Sequence, residues 1–550
     1  MVNSQDIKNL LKSACRDLFG QEVEPQLSRP DEKFGDFSTN VAMQLAKQLD
    51  KKPSDIAESI AVKIDGAKVA GPGFINITLP DEAIAKAAIG ATKIPKPLKD
   101  QEIVAEYSDP NPFKVLHVGH LYTSIVGDAI ANLLESAGAT VHRVNFGGDV
   151  GLHVAKTMYA IIQNLGGELP DKLSNVPKDG RAQWMTARYV EGNDFYEKPE
   201  AKITIEALNK QIYSLYEHND KNSSLAKIYW TTRQWSYDYF DEFYAKIGTQ
   251  FEKYYPESQT VELGLKAVKE NMGKVFEKSE GAVVFKGEVH NMHTRVFINS
   301  QGLPTYETKD IGLLLKKWED YHFDQSVVIT GNEIYEYMQV VLKAVEQFAP
   351  ELVKKTTHVS HGLVKMPGGV KMSSRKGNIV SAEAVLDMAD TANKKINQKE
   401  NFTVALGAVK YSFLKNRIGA DMVYNPAESV SLEGNSGPYL QYAHARAKSI
   451  LKKAGDVKAG KIDNLESDER ALARKISEYP DVVAQATGEL LPSHVCTYLY
   501  ELAQAFNRFY EKNRVIGNER EATRLKLVGA YADVLKHGLG LLNIDAPEQV

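Results

Sequence analysis

The sequence has few cysteines and no long apolar run. Its two cysteines, Cys15 and Cys496, lie near opposite ends of the chain, and neither a CxxC pair nor a Cys/His cluster occurs. This pattern excludes a disulfide framework and a structural zinc site. No apolar run reaches membrane-spanning length, and the first residues, MVNSQDIKNLLKSACRDL, lack the apolar core of a signal peptide. We therefore expect a cytoplasmic protein that holds no metal site of its own.

The sequence also lacks a strong charge of one sign. The formal net charge is −4 over 550 residues, which argues against indiscriminate nucleic-acid binding, so any RNA contact must come from local basic patches. With 43% hydrophobic and 25% charged residues, the composition is that of an ordinary globular protein. The chain is too long for one hydrophobic core, and we expect three or four domains.

The stretch 106–120, EYSDPNPFKVLHVGH, is the most informative part of the sequence. It follows a short apolar run at 103–105, which predicts a strand. It continues into a helical pattern that ends at Gly138, and residues 140–146 predict a second strand. Together these elements predict a βαβ unit. The apolar residues of the helix recur every three or four positions, namely Leu121, Ile125, Val126, Ala129, Ile130, Leu133 and Leu134.

His117, Gly119 and His120 lie at the N-terminus of that predicted helix. Unpaired backbone N–H groups and the positive end of the helix dipole suit a phosphate there. The two imidazoles can donate hydrogen bonds to phosphate oxygens, and Gly119 has no Cβ to keep a purine away from the backbone. Two histidines near a glycine are more often helix caps or core residues, so this motif alone leaves both interpretations open.

The motif His-Val-Gly-His at 117–120 resembles the HIGH signature of class I aminoacyl-tRNA synthetases. The whole stretch resembles that of arginyl-tRNA synthetases, in which Glu-x-Ser-x-Pro-Asn and a lysine precede His-x-Gly-His. A second motif, Lys371, Met372, Ser373 and Ser374, resembles the KMSKS signature. Its cations suit the charge that develops on a leaving pyrophosphate. Taken alone, without the first motif and the predicted sheet before it, the segment would more simply be a solvated basic loop.

The resemblance makes Lys114 and Lys371 alternative catalytic cations. Many arginyl enzymes lack the first lysine of the second motif, and a lysine just upstream of His-x-Gly-His takes its place. This chain has both. The two lysines are therefore either redundant, or Lys114 only contacts solvent.

The resemblance implies an α/β fold with three domains. A small α+β tRNA-contacting domain would occupy 1–95, and a Rossmann-like class I catalytic domain 96–404, with an insertion at about 166–290. An all-α anticodon-binding bundle would occupy 405–550. The patterns agree, because strand and helix patterns resume at 302–348 after a polar, aromatic-rich stretch that is helical in pattern. We expect the aromatic residues of that stretch to form a core rather than a base-stacking platform.

Arginine recognition calls for a carboxylate, because guanidinium is a planar cation with five donors. Alignment with the family's motifs assigns this contact to Asp310, with Tyr306 beside it and Gln339 on the following helix. Glu106, Ser108 and Asn111 would hold the amino group and carboxylate of the substrate. The alternative for Asp310 is a helix N-cap before IGLLLKKW.

The last predicted helices would bind the anticodon loop. A buried stripe is expected at Leu491, Val495, Leu499, Leu502, Phe506 and Phe509. Cations and an amide near its exposed end can read unstacked bases, although a charged helix end is often simply solvated. These candidate tRNA contacts are Arg508, Lys512, Asn513 and Arg514.

Three departures from the family's pattern put tRNA contacts in doubt. Val150 replaces the usual tryptophan after Asp149, Tyr122-Thr123 replaces the usual Arg-Ser, and the chain ends APEQV instead of Pro-Glu-Arg-Met. None of them alters the predicted nucleotide site, for which the expected ATP contacts are His117, Gly119, His120, Lys371, Met372, Ser373 and Ser374.

The resemblance implies a ligase that charges tRNA(Arg) with L-arginine, and we expect a monomer because nothing in the sequence pattern demands more. It would use ATP with Mg²⁺, no zinc and no organic cofactor, and it would form the adenylate only after tRNA binds. Two alternatives stay open: another class I synthetase, or a synthetase-like RNA-binding protein that has lost catalysis. His117, His120 and Lys371 argue against the second, since binding RNA does not require them.

Overall fold

The computed structural model describes residues 4–367, 380–398, 400–455, 462 and 464–549. The chain forms two compact units. We call Met1–Pro95, Leu432–Leu541 and Asp545–Val550 the terminal unit, and Lys96–Ser431 with Leu542–Ile544 the central unit. Among the helices of the described ranges, none is both long and apolar enough to cross a membrane.

The N-terminal part of the terminal unit is an α+β module, as predicted. Four strands form an antiparallel sheet in the order β1-β2-β4-β3. Its elements are α1 (Ser4–Phe19), β1 (Leu27–Ser28), β2 (Phe37–Thr39), α2 (Val41–Leu49), α3 (Pro53–Ala61), β3 (Ala67–Ala70), β4 (Phe74–Ile77) and α4 (Asp81–Ile89).

The central unit is built on a five-stranded parallel sheet. Its order is β12-β11-β5-β6-β7, and a separate three-stranded sheet has the order β10-β9-β8. The strands are β5 (Glu102–Glu106), β6 (Thr140–Gly147), β7 (Lys253–Pro256), β8 (Glu277–Ser279), β9 (Ala282–Phe285), β10 (Arg295–Ile298), β11 (Gln325–Gly331), β12 (Thr356–His361), β13 (Val364–Lys365) and β14 (Met422–Val423).

Helices connect the strands of the central unit. They are α5 (Val118–Ser136), α6 (Leu152–Leu165), α7 (Arg181–Tyr196), α8 (Pro199–Glu217), α9 (Ser224–Ile247), α10 (Glu257–Glu270), α11 (Tyr306–Tyr321), α12 (Tyr335–Glu346), α13 (Pro350–Lys354), α14 (Ala382–Asn397), α15 (Phe402–Leu414) and α16 (Pro426–Ser429). Short 3₁₀ turns occur at Glu32–Phe34, Pro170–Asn175, Lys178–Gly180, Gly287–His290 and Asn332–Ile334.

The predicted βαβ unit is confirmed as β5, α5 and β6. Every residue of the predicted apolar stripe on α5 is buried, and the helix ends at Ser136, two residues before Gly138. Burial extends beyond the stripe to polar positions such as Ser124 and Asp128, because α5 packs against both the sheet and α14 and α15. β5 lies between β6 and β11, and ligands of such sheets bind outside the carboxyl ends of the strands, where the order reverses.

The helical stretch α7 to α9 lies between β6 and β7, within the range 166–290 predicted as an insertion. Its tyrosines and tryptophans, including Tyr213, Tyr229 and Trp235, belong to a buried core, in agreement with the prediction. The predicted range also contains β7, a strand of the main sheet. Four residues, KYYP, are too few to produce a recognisable strand pattern.

The C-terminal part of the terminal unit is helical: α17 (Gly437–Ala454), α18 (Ser467–Ser477), α19 (Tyr479–Glu489), α20 (Ser493–Lys512) and α21 (Glu521–Leu541). The predicted stripe on α20 is buried from Val495 to Phe509, whereas Leu491 precedes the helix. Residues 405–431, assigned from sequence to this bundle, lie in the central unit as most of α15 and all of α16.

The N-terminal module and the C-terminal helices belong to one compact unit. Arg470 on α18 pairs with Asp36 at 2.7 Å and with Asp81 at 2.6 Å. Asp36 is almost fully buried. The sequence suggested an independent module over 1–95, because ion pairs between residues hundreds of positions apart leave no local pattern.

Candidate functional site

His117 and His120 cap the N-terminus of α5 reciprocally. The Gly119 N–H donates to His117 Nδ1 at 3.1 Å, and the His117 N–H donates to His120 Nδ1 at 3.2 Å. Burial lowers the pKa of His117 to about 4 and holds that of His120 well below its usual value. Both rings are therefore neutral at physiological pH, and since each Nδ1 accepts a hydrogen bond, each ring carries its proton on Nε2.

The cap interpretation of these histidines and the phosphate interpretation are thus compatible. The Nδ1 atoms serve the helix, and the Nε2–H groups remain to serve as donors. The rings stack with their centroids 3.7 Å apart. A Cβ at Gly119 would lie 2.8 Å from the His117 ring, so glycine is needed there for the cap itself, a reason that the sequence pattern did not reveal.

Lys114 lies half-buried in the turn before α5. Its Nζ is 5.4 Å from the centroid of the Tyr189 ring, and burial lowers its pKa. The ring contact argues against the interpretation that Lys114 only contacts solvent.

The turn between β5 and α5 has a strained backbone. Ser108, Asp109 and Phe113 have φ angles of 75°, 48° and 70°. Residues other than glycine rarely adopt this region. Such conformations persist only where surrounding contacts impose them, and they cluster at functional sites.

Helices of the insertion impose these contacts. The Phe113 N–H donates to Ser236 Oγ at 2.9 Å, and the Val115 N–H donates to Thr186 Oγ1 at 2.8 Å. Tyr239 also accepts the next backbone N–H, at 3.2 Å. Sequence reasoning missed these three hydroxyl residues, because they lie on α7 and α9, far along the chain from the turn.

Residues Lys371, Met372, Ser373 and Ser374 of the second motif lie outside the described residues. The segment that follows them is bonded to the first motif. The Val118 N–H donates to the Val380 carbonyl at 3.1 Å, and the Ala382 N–H donates to the Leu116 carbonyl at 2.9 Å. The segment at 380–382, more than 200 positions from the first motif in the sequence, is therefore adjacent to it in the structure.

The residues predicted to hold the substrate's amino group and carboxylate lie at the carboxyl end of β5, but each has a protein partner. Glu106 is paired with Lys317, and both are buried. Ser108 Oγ shares a hydrogen bond of 2.7 Å with the Tyr244 hydroxyl. Asn111 Oδ1 accepts the Gly148 N–H at 2.8 Å, and this bond joins the turn after β5 to the turn after β6.

Asp310 is not a helix N-cap. Helix α11 begins at Tyr306 after the cap residue Thr305, which places Asp310 inside the helix. Its carboxyl accepts the Tyr337 hydroxyl proton. Burial, together with the charges of Glu106, Glu257 and Glu307, raises the pKa of Asp310 to about 8.

The carboxylates around Asp310 make this pocket acidic. Burial and the charge of Glu106 also raise the pKa of Asp109 well above its usual value. Each of the three glutamates has one cation, since Lys317 is paired with Glu106, Lys309 with Glu257 and Arg295 with Glu307. A cationic ligand that entered here would relieve repulsion between the carboxylates.

Tyr306 lies on α11, the helix that contains Asp310, and Gln339 lies on α12. The Tyr306 side chain is 49% exposed, and its hydroxyl hydrogen-bonds His153 Nδ1 at 3.1 Å. Gln339 is half-buried on α12, two residues after Tyr337. His153 was not among the predicted site residues, although it ends the glycine-rich turn NFGGDVGLH.

The predicted tRNA contacts lie at the end of α20 in the terminal unit. Arg508, Lys512 and Arg514 are exposed, and Asn513 is half-buried. Asn513 donates to Asp468 at 3.2 Å, and Lys512 lies 3.8 Å from the same carboxylate. Arg508 and Lys512 also line a cavity of about 350 Å³ beside α18, so this surface combines cations with a concave shape.

Comparison with known proteins identifies the parts of the chain. Three family models match: the arginyl tRNA synthetase N terminal domain over residues 5–79, the tRNA synthetases class I (R) catalytic domain over 84–425, and the DALR anticodon binding domain over 440–550. An arginine–tRNA ligase of Phocaeicola vulgatus is 29% identical and covers 98% of each chain. One of Flavobacterium psychrophilum is 30% identical over 82% of this chain and 80% of its own.

Among solved structures, the arginyl-tRNA synthetase of Thermus thermophilus superposes with a TM-score of 0.82 at 25% identity, and the match covers 100% of both chains.

Proposed function

The chain belongs to the arginyl-tRNA synthetase family, and from this premise we propose which of its residues attach arginine to tRNA. In the first step the arginine carboxylate attacks the α-phosphate of ATP, and pyrophosphate leaves. In the second step the arginyl group passes from the adenylate to a ribose hydroxyl of the terminal adenosine of tRNA(Arg). Neither step needs a protein nucleophile, since positioning and charge stabilisation carry the rate.

His117 and His120 bind the phosphates of ATP. What supports this assignment is that their Nδ1 atoms accept backbone N–H groups, which leaves two Nε2–H donors side by side at the N-terminus of α5. Neutral donors fixed by the helix cap need no reorganisation when charge develops. This observation carries the proposal for the first step.

Lys371 and its neighbours Met372, Ser373 and Ser374 bind the leaving pyrophosphate from the other side. The hydrogen bonds of Val380 and Ala382 to the first motif support this assignment, because they hold a segment that begins six residues after Ser374 against His117. Lys114 is a second cation for the same phosphates, next to the histidines in the chain.

Mg²⁺ enters with ATP, bound by phosphate oxygens and water, as is usual for nucleotides. Its charge neutralises part of the triphosphate. His117 and His120 do not fit as its ligands, because a protonated Nε2 offers no lone pair, but they fit phosphate oxygens. The enzyme is proposed to be monomeric and cytoplasmic and to need no organic cofactor, and its two distant cysteines support the absence of a structural zinc site.

Asp310 selects arginine by binding the guanidinium group, with Tyr306 and Gln339 beside it. The support is a half-buried carboxyl that, among the described residues, forms no ion pair and whose pKa is raised by the charges of Glu106, Glu257 and Glu307. Lysine presents a compact ammonium group and cannot match a bidentate carboxylate contact. Glu106, Ser108 and Asn111 bind the backbone end of arginine, and their present partners would have to share or exchange hydrogen bonds.

Arg508, Lys512, Asn513 and Arg514 bind the tRNA. Their support is the exposure of the three cations at one helix end. Single substitutions there should weaken tRNA binding and reduce its salt dependence, because each phosphate contact releases counterions.

The test is arginine-dependent exchange of pyrophosphate into ATP, measured with and without tRNA and with lysine and glutamate as control amino acids. Exchange with arginine but not with lysine or glutamate supports the assignment. Exchange only in the presence of tRNA supports the order of binding. Exchange with another amino acid would discard the Asp310 pocket. No exchange by folded protein that still binds tRNA would instead favour a protein that has lost catalysis.

A further inference from the structure

His153 connects two of the residues assigned to arginine binding. It is the second residue of α6, on the turn that follows β6. Its Nε2 bonds the Gly148 carbonyl at 2.8 Å, and its Nδ1 bonds the Tyr306 hydroxyl at 3.1 Å. The Gly148 N–H in turn donates to Asn111 Oδ1 at 2.8 Å. A continuous path of hydrogen bonds therefore runs from Asn111 to Tyr306.

The direction of each hydrogen bond on this path is fixed. A carbonyl oxygen can only accept, so His153 carries its proton on Nε2, and Nδ1 must accept the proton of the Tyr306 hydroxyl. Burial, together with the charge of Lys309, lowers the pKa of His153 to about 3. The ring therefore stays neutral across the physiological range, and the path does not change with pH.

The turn around Gly148 is too tightly packed to absorb a shift. A Cβ at Gly148 would lie 2.6 Å from Asn111 Oδ1 and 3.1 Å from both the Glu257 carboxylate and the His153 ring. A displacement of the imidazole is thus transmitted to its neighbours rather than taken up by empty space.

Tyr306, by contrast, has room to move. Its side chain is 49% exposed, and its contact with Lys309 is a ring contact, with Nζ 4.7 Å from the centroid. The buried Lys309 is itself paired with Glu257. The hydrogen bond to His153 is what fixes the hydroxyl end of the tyrosine.

We propose that His153 is a positioning residue that fixes Tyr306 against the arginine substrate and so contributes to arginine affinity. The proposal rests on the assignment of Tyr306 to the arginine pocket. His153 acts on affinity and not on the chemistry at phosphorus, because the path reaches neither His117 nor His120. Glutamine can partly replace it, since its amide offers one donor and one acceptor.

The experiment compares His153→Ala, His153→Gln, Tyr306→Phe and the double variant His153→Ala/Tyr306→Phe in tRNA-dependent pyrophosphate exchange. His218→Ala, an exposed histidine at the end of α8, is the matched control. We expect the arginine KM of His153→Ala to rise roughly tenfold, the value for one lost hydrogen bond. kcat and the ATP KM should stay within about twofold, since neither depends on this contact.

The remaining variants distinguish positioning from a general structural role. Tyr306→Phe keeps the ring but loses the hydroxyl, so it should match His153→Ala, and the double variant should be no worse than either. His153→Gln should recover part of the affinity.

Equal rises of the arginine and ATP KM with a fall in kcat, or additive effects in the double variant, would overturn the proposal. If His153→Ala does not fold, His153→Gln takes its place in the double variant with Tyr306→Phe, and an unchanged arginine KM in Tyr306→Phe overturns the proposal. Absence of arginine-dependent exchange in the unsubstituted protein would instead overturn the proposed function, and with it this premise.

Discussion

His117 Nδ1 accepts the Gly119 N–H, His120 Nδ1 accepts the His117 N–H, and the two rings stack with centroids 3.7 Å apart at the start of α5. One pair of side chains thus both caps the N-terminus of α5 and presents two N–H donors. Substitutions at these positions should therefore affect stability and catalysis separately, depending on which nitrogen is replaced.

His120→Ala should slow adenylate formation roughly 10²- to 10³-fold, the effect of removing one preorganised donor, and destabilise the protein by about 1 kcal/mol through the lost cap. His120→Gln should recover most of the stability, because glutamine at this position can accept the capping N–H. Single-turnover adenylate formation and thermal unfolding measure the two effects. Near-normal adenylate formation by His120→Ala would remove His120 from the ATP site.

Arginine affinity should rise with pH up to about 8, the pKa of Asp310. Below that value the carboxyl is mostly protonated, so binding a guanidinium must release a proton, and the arginine KM should fall as pH rises and then level off. Asp310→Asn should raise the KM by about 10² or more and abolish the pH dependence. Steady-state KM measured across this range tests it, with Glu319→Gln, an exposed acid on the same helix, as the control. An unchanged KM for Asp310→Asn would move the specificity contact elsewhere.

The buried histidines should lower the stability of the central unit as pH falls from 6.5 towards about 4, whereas Asp109 and Asp310, whose pKa values are raised, act in the opposite direction. Five histidines there have folded-state pKa values lowered by burial, whereas in the unfolded chain they take up protons near pH 6.5, so acid favours unfolding. They are His117, His120, His153, His358 and His361. Thermal midpoints over this interval measure the slope, which should become shallower in His117→Gln. The same dependence of the midpoint on pH in His117→Gln and in the unsubstituted protein would contradict the lowered pKa of His117.

Asn543 should be important for the stability of the central unit. Its side chain donates to Asp128 at 2.9 Å and to the Gly248 carbonyl at 3.1 Å, and its φ is 54°. Asn543→Ala loses both bonds and strains the backbone, which should cost about 2–3 kcal/mol. Asn543→Gly loses the bonds but tolerates the angle, so it should recover about 1 kcal/mol. Denaturant unfolding compares them, and equal stability of the two variants would show that the backbone angle contributes nothing.

The parts of the fold that the sequence predicted are those with local patterns. The stripe on α5, the strand β6 and the stripe on α20 were predicted from spacing and are confirmed. The short strand β7 and the ion pairs of Arg470 were not, because four residues carry no period and pairing across the chain leaves no local signal. The assignment of 405–431 to the C-terminal bundle rested on its helical pattern, which does not reveal the unit in which a helix packs.

The candidate site divides in the same way. The resemblance supplied His117, His120 and Asp310, and the structure excludes the N-cap alternative for Asp310 because α11 begins at Tyr306. The ion pair between Glu106 and Lys317, and the role of His153, depend on which helices lie against the turn after β5. No pattern in the amino-acid sequence alone shows which helices lie against this turn.

The hydrogen bonds between the segment at 380–382 and the first motif have a practical consequence. The amide protons of Val118 and Ala382 are both donated across this contact. Their exchange with deuterated solvent therefore reports how often the segment at 380–382 separates from the first motif. The measurement needs neither a substitution nor an attached probe. Slower exchange at both amides on addition of ATP, compared with the amides of α5 that follow, would measure how strongly the nucleotide binds the two motifs together.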